Sequence, residues 1–499
     1  MRKLNKKLAL IVAAILTTTT VLAGCGAKKD STTTTTAKTP YQLDWYFIGN
    51  GPQADSAKVD AEANKLLKDI NVQLVTHCFD WGSYQAKLQT LLATNDKVDL
   101  LMTALGWGSL IVDDVRKGVV VDITTLAPKY APHAVATLKG GFWEYSQIGG
   151  KNYSIPVNKE KATQMGYNFN QKYVTKYKLE DATKNVKGLD DITPMLKTIK
   201  TAEPGLFPVE PNTGIIGFGT QNDDPQASNL AALPHDSTDD KFVSAPANPN
   251  YQKLADITRS WFTAGYISKD AATVTDVTPF RKAGNNFVSF DSMKPGKDVE
   301  VSISSGQTWK QTVIGTPFMR TADTMGCMMS VAKAAKDPKR VLEFVDKMYS
   351  DVKLINLIDY GIEGTHYVTK SAGVIDFAPA TDGGKKSGYN PGTPWMFGDQ
   401  FKSYLFSNED PKKWDAFKAF NTAATPVKDA GFVYTDDAIK NEEAACVNIT
   451  KEFDPSLQVG SIDPKVNIPK YIAKLNAAGM QKILDDINSQ YDAWKKAKK

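Results

Sequence analysis

Apolar positions along this chain change period several times, and each change marks an element. Residues 42–48, "QLDWYFI", form a short apolar run closed by "GNGP" at 49–52, which predicts a strand followed by a turn. Ala57, Ala61, Leu66, Leu67 and Ile70 then fall on one helical stripe over residues 55–70. "NVQLVTHCF" (71–79) alternates as a second strand. A helix carrying Leu88, Leu91 and Leu92 follows from about Trp81 to Thr94, and "KVDLLMTAL" (97–105) is a third, fully apolar strand. Strands and helices alternating through short connections predict a parallel sheet covered by helices. "GVVVDIT" (118–124) and "KNYSIPV" (151–157) extend the strand-like pattern.

The middle of the chain differs. Pro204, Pro208, Pro211, Pro225, Pro234, Pro246 and Pro249 break any long helix or central strand between 203 and 250, which predicts loops decorating a second lobe. A helix is expected at 251–264, ending at Gly265, and a short strand at 286–290. Residues 337–358 open with Asp337 and Pro338 in the N-cap and first-turn positions of an amphipathic helix. Met480, Ile483, Leu484, Ile487, Tyr491 and Trp494 trace a final helical stripe.

The N-terminus follows another logic. Arg2, Lys3, Lys6 and Lys7 precede the apolar "LALIVAAIL" (8–16), and small residues follow at Ala23 and Gly24, the order of a secretory signal. Its apolar core is shorter than the roughly 20 residues that cross a membrane as a helix. Cys25 directly after Leu-Ala-Gly resembles the bacterial lipoprotein signal, which implies a signal peptide over 1–24 and a palmitate-type acyl anchor on Cys25. The Thr-, Ser- and Lys-rich stretch up to Pro40 offers little apolar area to offset backbone ordering, so 25–40 is expected to be a disordered tether.

This leader also changes the charge. The formal net charge is +5, and loss of the four cationic residues before position 8 leaves +1. With acids and bases interspersed, there is no electrostatic footprint for nucleic acid. The roughly 460 remaining residues exceed one core and predict at least two domains. Beyond Cys25 only Cys78, Cys327 and Cys446 remain, an odd number without metal-site spacing, read as small buried apolar residues. His77, His133, His235 and His366 form no zinc motif, and no G-x-S-x-G occurs. "NDDP" (222–225) and "STDD" (237–240) cluster oxygens without the ladder of a calcium loop. No cofactor is expected, and no pair of the 55 acids stands out as catalytic.

"VRKGVVVDITTLAPKYAPH" (115–133) and "GGKNYSIPVN" (149–158) resemble stretches of the lipid-anchored solute-binding proteins of ABC importers, in the large extracellular family that takes up mostly carbohydrates. "DYGIEGTHYVTK" (359–370), "PWMFGDQF" (394–401) and "AGMQKILDDINSQYDAW" (478–494) look like the C-terminal region of the LipO-type subgroup. Asp399 departs from that pattern, where Asn follows Phe-Gly; an acceptor in place of a donor amide would alter ligand preference or cap a helix. The resemblance implies a two-lobed α/β, periplasmic-binding-protein-like fold of class II type, with a hinge and an interlobe cleft. It puts 41–165 plus 286–345 in an N-terminal lobe and 166–285 plus 346–499 in the other. It further implies a non-enzymatic, monomeric protein on the outer face of the cell membrane that captures an oligosaccharide and delivers it to permease subunits.

A sugar presents flat C–H faces and a rim of hydroxyls, so its site needs aromatic plates and fixed polar partners. Loops at the carboxyl ends of parallel strands converge on one sheet edge. That makes Trp45 and Asn50 around the first strand, Trp81 and Tyr84 after the second and Trp107 after the third the candidates from one side. From the other lobe the candidates are Tyr167, Trp261, Trp395 and Asp399, with Trp143 near the first crossing and Glu363 between two glycines as a hydroxyl acceptor. Trp309, Trp414 and Trp494 are assigned to packing or surface. A peptide or other polar solute is the alternative ligand; an anchored glycoside hydrolase and a surface adhesin are rivals of a different class.

Overall fold

Strand β1 (Tyr41–Gly49) is buried from Leu43 onward, which requires cover on both faces and therefore a central place in a sheet. The computed structural model describes residues 39–498, except 95, 213, 224–225, 275 and 436–438. The leader, Cys25 and nearly all of the tether lie outside the described residues. β1 pairs in parallel with β2 (Val72–Asp80) from Tyr41 opposite Val72 to Gly49 opposite Asp80, and with β3 (Leu100–Ala104) at Trp45 opposite Leu100. Helices α1 (Ser56–Leu66) and α2 (Tyr84–Ala93) make the crossovers. The strand Met328–Val331 runs antiparallel to β3 and carries Ser154–Pro156 on its other side, so the order is β2, β1, β3, 328–331, 154–156.

A second sheet is built around Thr163–Asn170, antiparallel to Val288–Ser289 on one side and to Trp309–Met319 on the other; Thr425–Pro426 closes the edge. Its core holds Phe169, Ile192, Leu196, Trp261 and Phe287. A neighbouring core joins the helices Lys440–Gln458, Pro464–Ala477 and Met480–Lys498 through Leu457, Tyr471, Ile483 and Ile487.

These pairings correct the expected lobe boundaries. Residues 288–319 belong with Thr163–Asn170 in the second lobe, and the chain returns to the first sheet only at Met328. The helices Pro338–Ser350 and Val352–Tyr360 bury Met348, Leu354, Ile355 and Ile358 in the first core, together with Met396 and Phe397, so the chain from 346 to about 400 is first-lobe material. Two other expectations shrink: 118–124 contributes a single bridge, Val120 to Ala332, and 151–157 splits into Lys151–Asn152 and Ser154–Pro156.

The chain thus passes between lobes at 157–162, 320–327 and 407–424. Asn421, on the helix Lys413–Ala423 of the third passage, clamps the first: its Oδ1 accepts from the Lys161 N–H (2.8 Å) and its Nδ2 donates to the Lys159 carbonyl (3.0 Å). A side chain bonded to both neighbours of Glu160 fixes how that segment presents itself.

Candidate functional site

Parallel strands place their following loops at one edge, and β2 and β3 each deliver a tryptophan there. Trp81 follows β2 and Trp107 follows β3; their rings stack with centroids 5.6 Å apart at 30°. Trp395, in the short turn Pro394–Met396, completes the group at 6.2 Å from Trp81 and 5.8 Å from Trp107. Contrary to expectation, Trp395 is not supplied by the opposite lobe: it packs on the first core, beside Trp107. Trp81 is 53 % exposed, an unusual cost for so large an apolar ring.

The three rings line a cavity of about 290 Å³ whose other walls come from the passages and the second lobe: Lys159 and Glu160, Thr163, Ser292 to Lys294, and Asp323. Lys159 Nζ lies 5.7 Å from the Trp395 ring centroid and 3.1 Å from Glu160 Oε1. Lys294 Nζ reaches the same Oε1 at 3.2 Å and Glu300 at 3.0 Å. Burial alone would raise the Glu160 pKa; Lys159 and Lys294 outweigh it and hold the carboxyl at about 2, ionised at neutral pH. Glu160 Oε2 is nevertheless buried without a hydrogen-bond partner among the described residues. Gln221 shows the same imbalance nearby: its Nε2 donates to Ser292 Oγ (3.1 Å) while its buried Oε1 has no partner among the described residues. Arg320, on the second passage, is held by Asp323 (Nη2 to Oδ1, 2.8 Å) and donates to the Gln221 carbonyl (3.3 Å). The site therefore offers flat aromatic faces, fixed ammonium donors and acceptors in search of donors.

Of the residues chosen from sequence, Trp81, Trp107 and Trp395 meet at this cavity. The others are placed elsewhere, each for a packing reason. Trp45 is 1 % exposed and sits in mid-strand among Phe47 (4.8 Å), Phe397 (5.0 Å) and Phe344 (5.6 Å). Tyr84 is buried under β3, its hydroxyl donating to the Met102 carbonyl (2.8 Å) and accepting from the Met102 N–H (3.0 Å). Trp143 is buried in the first core. Tyr167 packs against Phe290 (5.8 Å) and Trp261 is fully enclosed, donating to Thr193 Oγ1 (2.8 Å), both in the second core. Glu363 is exposed and accepts from Thr369. Asn50 staples its loop to the segment leading to Trp395, donating to the Asn390 carbonyl (2.9 Å). Asp399 fits the capping alternative: it accepts from Phe401 N–H (3.3 Å), Asn158 Nδ2 (2.7 Å) and Lys402 Nζ (2.6 Å).

Sequence reasoning missed Lys159, Glu160, Lys294 and Asp323. The run "NKEK" (158–161) reads as solvated charge; the available signal was its position at the end of "YSIPV", where the chain leaves the first sheet.

Residues 49–353 match the family described as bacterial extracellular solute-binding protein, and 428–496 match a domain of unknown function (DUF3502). A carbohydrate ABC transporter substrate-binding protein of Streptococcus pneumoniae serotype 4 is 24 % identical over 466 residues, covering 92 % of this chain and 91 % of that one. The crystal structure of the N-glycan transport solute binding protein of Streptococcus pneumoniae superposes with a TM-score of 0.80 at 21 % identity, covering 92 % of this chain and all of that one. Its complex with Man1GlcNAc gives 0.74 at 21 % identity, over 91 % of this chain and 99 % of that one. The alginate-binding protein AlgQ2 without calcium ion gives 0.61 at 15 % identity, over 91 % and 98 %. These likenesses establish the two-lobed solute-binding fold. With the family match running over more than half of its length, the chain belongs to the bacterial extracellular solute-binding proteins.

Proposed function

We propose that this protein captures an oligosaccharide between its lobes, on the Trp81, Trp107 and Trp395 rings, and releases it unchanged to an ABC importer, while acylated Cys25 holds it on the outer face of the membrane. The observation that carries the reading is the convergence of three tryptophans from three separate loops on one interlobe cavity. An indole face accepts the C–H face of a pyranose, and the buried Glu160 Oε2, on the cavity wall, is an acceptor for the hydroxyl rim, since an unpaired buried polar atom costs about 1–3 kcal/mol. Two lobes joined by three passages close by hinge motion and exclude water from both sides of the solute. The relative named a carbohydrate substrate-binding protein, and the similar structures solved with Man1GlcNAc and Man5GlcNAc, support a sugar as the solute. Leu22-Ala23-Gly24-Cys25 supports the anchor.

The test is calorimetric titration of protein lacking residues 1–25 with mannose-containing glycans of one to several residues, alginate and fructan oligosaccharides, and a peptide mixture. Saturable 1:1 binding of at least one glycan is expected. Silence from every glycan, or saturable binding of peptide alone, contradicts the reading.

A further inference from the structure

The first interlobe passage has two faces. Lys159, Glu160 and Ala162 line the tryptophan cavity, whereas Asn158 and Lys161 line a second cavity of about 450 Å³. This second cavity is walled by Leu138, Lys139 and Phe142 of the first lobe, by Asp399 and Lys402, and by Lys418 on the helix of the third passage. It is strongly unbalanced in charge. Four lysines line it against one carboxylate: Asp399 is buried, bonded to Asn158 and paired with Lys402, which leaves Lys139, Lys161 and Lys418 without a carboxylate on the cavity wall. Lys418 leans on Asp415 at 4.0 Å, at the outer limit of an ion pair.

Lys161 is the telling group. Its ammonium makes no hydrogen bond or ion pair among the described residues, and the Phe142 ring lies 5.8 Å from Nζ. It is half-buried, and burial pushes its pKa below the ordinary lysine value. The acid whose field acts on it, Glu144, accepts with Oε2 from the Gly140 and Gly141 N–H groups (both 2.9 Å). An uncompensated ammonium taken partly out of water is costly unless an anion joins it. Asn421 fixes the Lys161 backbone N–H at this cavity, so the side chain starts from its wall.

We propose that the cavity behind the hinge binds a small oxyanion of the phosphate class, free or as a monoester, with Lys161 as its inner partner and Lys139, Lys402 and Lys418 around its rim. Lysine suits this ligand because it acts as a compact point charge with three rotatable donors, and phosphate accepts from several directions. An occupant ties together the first lobe, the first passage and the third passage, the segments that must move relative to one another when the cleft closes.

The experiment uses inorganic phosphate, titrated calorimetrically into the protein lacking residues 1–25 with chloride balancing ionic strength. Saturable 1:1 binding in the millimolar range or tighter is expected, weakened at least about tenfold by Lys161→Gln, since one charge-assisted contact is worth ~1.4 kcal/mol or more. Exposed Lys139→Gln weakens it less, and Lys465→Gln, on a helix of the other lobe, leaves it unchanged. If Lys161→Gln fails to fold, the Lys139 and Lys465 pair carries the test. No saturable phosphate binding, or equal binding by all variants, overturns the proposal. Glucose 6-phosphate against glucose then shows whether esters enter; binding of free phosphate alone restricts the site to the inorganic ion.

Discussion

Trp81→Ala separates a ligand platform from a packing residue. Trp81 is 53 % exposed, so about half of the 200–250 Å² of a tryptophan side chain remains to be covered. At about 25 cal/mol per Å², covering all of that area is worth roughly 3 kcal/mol, and a sugar lying on one face covers about half, or ~1.5 kcal/mol. That corresponds to a loss of about tenfold in Kd on truncation. Stability moves less, by about 1–3 kcal/mol, because half of the ring already faces solvent and its two aromatic contacts, with Trp107 and Trp395, are worth only ~0.5–1.5 kcal/mol each. Trp45→Ala is the control: a 1 % exposed ring among three phenylalanines costs ~3–5 kcal/mol in stability. Calorimetry with the tightest glycan and urea unfolding of both variants read the two quantities. A Trp81→Ala protein that binds glycan within twofold of wild type, or that unfolds as readily as Trp45→Ala, refutes the reasoning.

Glu160 has its carboxyl lowered from 4.5 to about 2, so its contribution is present above pH 4.5 and lost as pH falls toward 2. Glu160→Gln should flatten that acid limb in a urea-midpoint profile and cost ~3 kcal/mol at pH 7. Asp359 behaves oppositely: burial pushes its carboxyl well above the ordinary range, Ser403 alone among the described residues bonds it, and its stability contribution is present below the ordinary pKa of 3.8 and lost as pH rises through the raised one. Asp359→Asn should therefore raise the melting temperature at pH 8, with the gain shrinking toward pH 4. Cys25→Ser should shift the protein from the membrane to the soluble fraction of fractionated cells, since the acyl chains are the proposed hold on the bilayer.

The first three strands and two helices were legible because apolar period alone specifies them; β1 is buried from Leu43 on and β2 alternates. The strand Trp309–Met319 was not, because "WKQTVIGTPFM" carries Gly315 and Pro317, presents several residues to solvent and bulges between Ile314 and Phe318. Lobe membership was misread for a related reason. Whether Val288–Ser289 pairs with Thr163–Asn170 or with the first sheet is decided by contacts more than a hundred residues apart, which no local pattern encodes. At the site, Trp81 and Trp107 were readable from strand-end position. Trp45 was misjudged because it lies four residues before the end of β1, inside the pleat. Lys159 and Glu160 escaped because an isolated charged run looks the same whether it faces water or a cleft; only the Asn421 clamp and the Lys294 pairing distinguish them.

On the proposed reading, a glycan is held between the lobes by three tryptophans. A crystal structure of the protein with its tightest-binding glycan tests it most directly. The expected result is a pyranose face within about 4 Å of at least two of the Trp81, Trp107 and Trp395 rings, the van der Waals contact distance, and a hydroxyl donating to Glu160. Sugar density outside this cavity, with the three rings packed against one another as they are without ligand, would contradict it.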